Sequence, residues 1–423
     1  MLQVQVLRNN PTWVKERLAL KQFKQPELVD EIIALDDLRR KTQAQFDAVQ
    51  AQANTAAKEI GKYMAQGQKE AADALKANVG KLKQEAATLS IALAETEQKL
   101  QEKIIQLPNL PAAIVPAGRS AEDNEVVKTG GPMPQLPDNA QPHWELIKLY
   151  DLIDFETGAK ITGSGFPLYK GKGAKLQRAL VQFFLDENTA AGYTEYIPPF
   201  MVNEASAYGT GQLPDKEGQM YHATADNFYL IPTAEVPVTN IYRDTILKEE
   251  ELPIKMTAYS PCFRREAGSF GKEVRGLNRL HQFEKVEIIQ IVHPNHSYTT
   301  LDNMVNHVEH LLQLLELPYR ILRLCGGDMG FTSALTYDFE VFSAAQQRWL
   351  EVSSVSNFES FQTNRLKCRF KDANGKTQLA HSLNGSALAL PRIVAALLEN
   401  NQTANGIALP KILHRYFGNT VLV

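Results

Sequence analysis

The chain has 423 residues, enough for two or three domains with at least one sizeable core. Hydrophobic residues make up 44%, charged residues 22%, and the net charge is −3: a globular balance that excludes a global basic excess for nucleic acid but allows a local basic surface. Cys262, Cys325 and Cys368 lie far apart with no CxxC pair, and there is no signal-peptide core or membrane-length apolar run, so a disulfide framework, structural zinc and a membrane are excluded and the cytoplasm is the expected location.

From Leu28 the apolar positions run Leu28, Ile32, Leu35, Thr42, Phe46, Val49, Ala53, Ala56, Ile60 and Tyr63, with Arg39 filling one slot. A second series runs Leu75, Val79, Leu82, Ala86, Leu89, Leu93, Thr96 and Leu100. Alternating steps of four and three make a heptad seam on each of two helices, and the polar Met64–Gln68 segment with Gly67 suits a tight reversal. The two seams then zip together as a hairpin projecting roughly 50 Å. A dimerisation or scaffold coiled coil would carry the same seam. Around the tip, Lys58, Lys62, Lys69, Lys76, Lys81 and Lys83 outnumber Glu59, Glu70 and Asp73, a balance that suits phosphates or a solvated helix face.

Prolines recur from Pro108 to Pro142 and forbid continuous helix, so this stretch is a connector. The expected division is 1–110 for the helical arm and 111–423 for a second domain. That second domain mixes helices with strands that are mostly not separated by crossover helices. It contains neither GxGxxG nor GxxxxGK[ST], which argues against a Rossmann or P-loop nucleotide site.

Five segments stand out in it. Leu176–Phe200 reads as an apolar helix followed by a strand and Pro198. In Leu230-Ile-Pro-Thr-Ala-Glu-Val-Pro237, period two places Thr233 and Glu235 on one strand face, although an edge strand bounded by prolines would read the same way. In Cys262-Phe-Arg-Arg-Glu266 and His281-Gln-Phe-Glu-Lys-Val-Glu287, alternation groups Arg264 with Glu266 and Phe283 with Glu287. A hairpin joining them would offer a guanidinium for phosphate, an aromatic face for a base and carboxylates for an amine; ordinary cross-strand ion pairs are the plainer reading. Glu351-Val-Ser-Ser354, after Tyr337-Asp-Phe-Glu-Val341, offers hard oxygen ligands for Mg²⁺, but strict alternation puts Glu351 and Ser354 on opposite faces, so a bulge or a water is required. Finally, His381–Arg392 leads into an apolar helix starting near Pro391. Arg392 in its first turn opposes the helix dipole, a penalty that a bound anion would remove and that solvation would also ease.

Phe-Arg-x-Glu, a long loop and a returning strand resemble motif 2 of the class II aminoacyl-tRNA synthetases. With Arg-Glu-Ala-Gly-Ser at 265–269 and Arg-Gly-Leu at 275–277, the text is similar to the bacterial-type seryl-tRNA synthetase family in particular. Leu176–Phe200 resembles motif 1, the homodimer-forming element, and the Arg392 segment resembles motif 3. Departures occur at Pro391, Gly326, Phe342 and Gln3, where the family usually has Gly, Thr, Trp and Asp. The resemblance implies an α+β fold: an antiparallel sheet flanked by helices, carrying an N-terminal antiparallel coiled-coil hairpin.

It also implies site residues. Arg264 would hold the α-phosphate of ATP, Glu266 and Phe283 the adenine, Arg279 the distal phosphates and Arg392 the γ-phosphate. Arg265, Val352 and Ser353 join the ATP set, with Glu351 and Ser354 contacting both ATP and Mg²⁺. Thr233, Ala234, Glu235, Glu287, Asn384 and Ser386 would take serine. The implied activity is serine–tRNA ligation through a seryl-adenylate, with ATP as substrate, Mg²⁺ as cofactor and no zinc. The implied partners are serine tRNA, with selenocysteine tRNA a further candidate, and a second copy of the chain. Two other readings stay open: a related ligase that loads a carrier protein, which would lack the long arm, and an inactive paralogue, which would lack Arg264, Glu266, Glu287 or Arg392.

Overall fold

The computed structural model describes residues 1–215, 218–266 and 275–423, and the predicted 267–269 text lies outside them. It forms two compact units, Met1–Pro108 and Asn109–Val423.

In the first unit, short helices at Val4–Asn9 and Pro11–Leu20 precede two long ones, Leu28–Ala65 and Lys69–Ile104. The long pair forms an antiparallel hairpin, and every position of both predicted seams is buried or half-buried. Gly67 makes the reversal at φ +75°, a backbone conformation that side chains with a Cβ rarely adopt. The base of the hairpin holds a charge that the heptad reading does not include. Asp36 is buried, with its carboxylate 2.7 Å from Arg8 and 2.8 Å from Arg39. Arg39, the irregular slot of the seam, is therefore paired.

The second unit is built on an eight-stranded sheet. Its strands, in chain order, are β1 (Glu125–Gly130), β2 (Thr194–Tyr196), β3 (Ile254–Phe263), β4 (Gln282–Val292), β5 (Tyr319–Arg323), β6 (Leu335–Ser343), β7 (Arg348–Glu359) and β8 (His381–Ala389). Their spatial order is β1-β5-β6-β7-β8-β4-β3-β2, antiparallel throughout except for β2 against β3. Adjacent antiparallel strands need no crossover helix, which is why the sequence lacks an alternating βαβ text. The Val-Glu-Ile-Ile-Gln-Ile-Val run of β4 is buried at every residue, as expected of a central strand covered on both faces.

Helices cover the sheet. Ser297–Leu314 buries Leu301, Met304, Val308, Leu311 and Leu312, one face of a 3.6-residue period. Leu390–Asn400 is buried at every residue except Arg392, so it is a core helix whose first turn alone reaches the surface. Among the described residues, no helix is long and apolar enough to cross a membrane.

Candidate active site

The sheet carries one large cleft of about 560 Å³, lined by β4, β6, β7, β8 and the segments that follow β3 and precede β4. Fourteen of the sixteen predicted residues line it: Thr233, Glu235, Arg264, Glu266, Arg279, Phe283, Glu287, Glu351, Val352, Ser353, Ser354, Asn384, Ser386 and Arg392. Two do not. Ala234 is buried in the apolar cluster with Val238 and Met256, and the Arg265 side chain is exposed.

Several residues arrive by routes other than the expected alternation. Strand β3 ends at Phe263, so Arg264 and Glu266 lie beyond it. Arg264 is tied back by its N–H to the His281 carbonyl at 2.9 Å, and its guanidinium stands 5.3 Å over the Phe283 ring. Glu266 adopts φ +49°; its N–H donates to Gln219 Oε1 at 3.0 Å and its carboxylate pairs with Arg279. Thr233 and Glu235 are not on a strand either, because Glu235 opens a short helix, Glu235–Thr239. Pro232 and Pro237 lack the N–H groups a ladder needs. The Thr233 hydroxyl instead accepts from the Glu235 N–H at 3.3 Å, and both side chains are buried.

Glu351 and Ser354 reach the same cleft through an irregularity. Phe339 pairs with Ser353, but Glu340 pairs with Glu351, so Val352 is an extra residue in β7. This β-bulge offsets the alternation that would have separated the two groups.

The cleft has two electrostatic zones. At one end, Glu287 stands directly opposite Ser386 across β4 and β8, and its carboxylate lies 3.0 Å from the buried Lys285 ammonium. Burial pushes the nearby Glu235 carboxyl up to about 7 against the hydrogen bond from Gln362 Nε2 at 2.6 Å; repulsion from Glu287 adds to the rise. At the other end, Ser354 donates to Asp338 at 2.6 Å. Burial, then the neighbouring Glu351 charge, holds the Asp338 carboxyl well above the usual range. Arg392 Nη1 donates to the Glu351 carbonyl at 2.6 Å and its Nε to the Asn278 carbonyl at 3.2 Å.

Sequence reasoning missed Lys285, Asp338, Gln219 and Gln362. Lys285 was within reach, since 283, 285 and 287 share one face of β4 by period two. Asp338 faces Ser354 only once the β6–β7 register is known. Gln362 carried no local signal; its amide bridges Glu235 and the Ser382 hydroxyl, residues 127 and 20 positions away.

Among the described residues, no group of three or more His, Cys, Asp and Glu side chains is arranged to hold a metal ion, so no all-protein cage is present. Asp338, Glu351 and Ser354 offer hard oxygens of the kind that hold Mg²⁺ together with phosphates, which requires only one or two carboxylates.

Comparison with known proteins gives a consistent result. The family model of the tRNA synthetase class II core domain (G, H, P, S and T) matches residues 220–401, and that of the seryl-tRNA synthetase N-terminal domain matches residues 1–111. A serine–tRNA ligase of Salinibacter ruber is 51% identical over 420 residues, covering 99% of this chain and 98% of that protein. One of Akkermansia muciniphila is 45% identical over the same length, with the same coverage. The solved seryl-tRNA synthetase from Pyrococcus horikoshii complexed with ATP superposes with a TM-score of 0.93 at 32% identity, covering 100% of this chain and 99% of that one.

Proposed function

Because the chain belongs to the seryl-tRNA synthetase family, we propose that its cleft activates L-serine with ATP and transfers the seryl group to tRNA(Ser), with selenocysteine tRNA as a second acceptor. The observation that supports this best is the convergence of Arg264, Phe283, Glu287, Glu351, Ser386 and Arg392 on a single cleft.

The serine carboxylate attacks the α-phosphorus of ATP, the bond to the β-phosphate oxygen breaks, and pyrophosphate leaves. Such chemistry needs positioning and countercharge more than a protein nucleophile. Arg264 faces the α-phosphate, Phe283 and Glu266 the adenine, and Arg279 and Arg392 the distal phosphates. The acidic end, Glu351 with Ser354 and Asp338, fits Mg²⁺, which when bound supplies further neutralisation of phosphate charge. Bound phosphate also relieves the unfavourable placement of Arg392 in the first turn of its helix. The tRNA 3′-hydroxyl then attacks the carbonyl of seryl-adenylate and AMP leaves.

Serine is selected by a polar pocket. Glu287, Glu235, Thr233 and Ser386 would keep unpaired polar groups if alanine or glycine occupied it, a loss that discriminates strongly. Asn384 lines the same end. The 1–110 arm is assigned to tRNA binding and 111–423 to catalysis, in a cytoplasmic homodimer formed through the 176–200 segment. The test is pyrophosphate exchange across the amino acids, comparing the wild-type chain with Arg264→Ala. Serine should drive exchange best, and the variant should lose at least about 10²-fold, the scale seen when a preorganised charge-stabilising donor is removed. Exchange driven better by threonine or alanine would overturn the substrate assignment.

A further inference from the structure

A buried polar network beside the cleft joins four segments far apart in sequence. His143, at the start of the His143–Leu149 helix, is fully buried, and its Nε2 accepts from the Leu277 N–H at 2.9 Å. Its Nδ1 lies 2.7 Å from Glu399 Oε1, and its own N–H donates to the same oxygen at 2.9 Å. Since Nε2 accepts, the proton sits on Nδ1: the imidazole is neutral and Glu399 is the acceptor. Glu399 also accepts from the Ser343 hydroxyl and, at 2.9 Å, from Gln346 Nε2. The circuit returns to the cleft. Gln346 Oε1 accepts from Asn278 Nδ2 at 3.2 Å, and the Asn278 carbonyl accepts from Arg392 Nε at 3.2 Å.

The neighbouring contacts hold the same short segment. The Arg275 guanidinium lies 4.8 Å over the Trp144 ring and 3.3 Å from Glu145. Gly276 takes φ +68°, and a Cβ there would fall 2.3 Å from His143 Nε2. Only glycine permits the approach. Residues 275–277 are thus gripped by His143, Trp144 and Glu145, while Asn278 and Arg279 continue directly into the cleft.

Resting on ATP as the ligand of the cleft, we propose that His143 and Glu399 are positioning residues for the triphosphate. The neutral imidazole, oriented by the carboxylate, fixes residues 275–280, and so sets the direction of Arg279 and the Asn278–Arg392 contact. A carboxylate buried in a core helix, as Glu399 is, is expensive unless its partners satisfy it. Here those partners connect the two segments that bring the phosphate-facing arginines. A brace that served stability alone would affect both substrates equally; this one acts on the ATP end.

The test uses the full chain and equilibrium dialysis with labelled ATP and, separately, labelled L-serine. His143→Leu removes the acceptor of the Leu277 N–H, and leaving that buried donor unpaired should weaken ATP binding by at least about tenfold. Serine affinity should stay within about twofold, the scatter expected of independent sites. His143→Gln, whose side-chain oxygen can stand near the Nε2 position, should recover most of the loss. Unchanged ATP affinity in His143→Leu, or equal weakening for ATP and serine, overturns the proposal. If His143→Leu does not fold, Gly276→Ala, which pushes the segment off the imidazole, decides on the same split. A wild-type chain that binds ATP without serine-dependent exchange refutes the proposed function alone, and one without ATP affinity refutes both.

Discussion

Glu235 and Glu287 stand in the same pocket with different partners. Glu287 has the Lys285 ammonium beside it, whereas Glu235 has the neutral Gln362 amide and a carboxyl pushed up to about 7, chiefly by burial. A serine ammonium in this pocket favours the ionised form, so binding lowers the Glu235 pKa and releases a proton at pH values below about 7. The sign follows: KM for serine should fall as pH rises towards about 7 and flatten above it. Glu235→Gln should raise KM and abolish that slope, and steady-state exchange kinetics between pH 6 and 8 would show both. A slope that persists in the variant would place the titration on another group. At this scale the sequence was informative where chemistry is local. Phe283 and Glu287 could be read from alternation along one strand, and Arg264 from its place just past the end of the neighbouring one. Gln362 could not, since its role arises from packing between segments 127 residues apart.

Secondary-structure elements were legible where a period repeats and illegible where one residue breaks it. The hairpin seams repeat over many turns, and all their positions are buried or half-buried. The Val352 bulge is a single insertion in β7; the need for it could be stated from the sequence but not its location. The Thr233–Glu235 segment misled because a spacing of two suggests one strand face, whereas Thr233 precedes the short helix that Glu235 opens and in which Pro237 lies. Asp36 shows a related limit, since a heptad count does not reveal which short helix supplies Arg8. Replacing Asp36 by alanine should cost about 1–2 kcal/mol of arm stability, because both arginines are one-third exposed and can turn to water. Urea unfolding followed by circular dichroism would measure it. Pyrophosphate exchange should not change, since every cleft residue lies in the second unit.

The two units divide the proposed reaction. The cleft groups proposed to form the adenylate all lie within Asn109–Val423, and acceptor binding is the role proposed for the hairpin. The tip lysines Lys58, Lys62, Lys69, Lys76, Lys81 and Lys83 are all exposed, and of these Lys76 is paired with Asp73 at 2.9 Å. Solvated ammonium groups on a rigid rod suit contacts with an RNA backbone, which are read by shape and charge rather than by base edges. Removing residues 30–104 should therefore leave serine-dependent pyrophosphate exchange within about twofold of wild type, while aminoacylation of tRNA falls by at least about 10²-fold, as expected when the main source of acceptor affinity is removed and the chemistry is not. Neutralising the tip lysines in the intact chain should give a milder version of the same result. The KM for tRNA should rise, and its dependence on salt should flatten by roughly 0.7–0.9 in log–log slope for each phosphate that is no longer neutralised. Full charging by the shortened chain would assign the hairpin to assembly instead of acceptor recognition. Disappearance of exchange along with charging would instead mean that the arm supports the cleft itself.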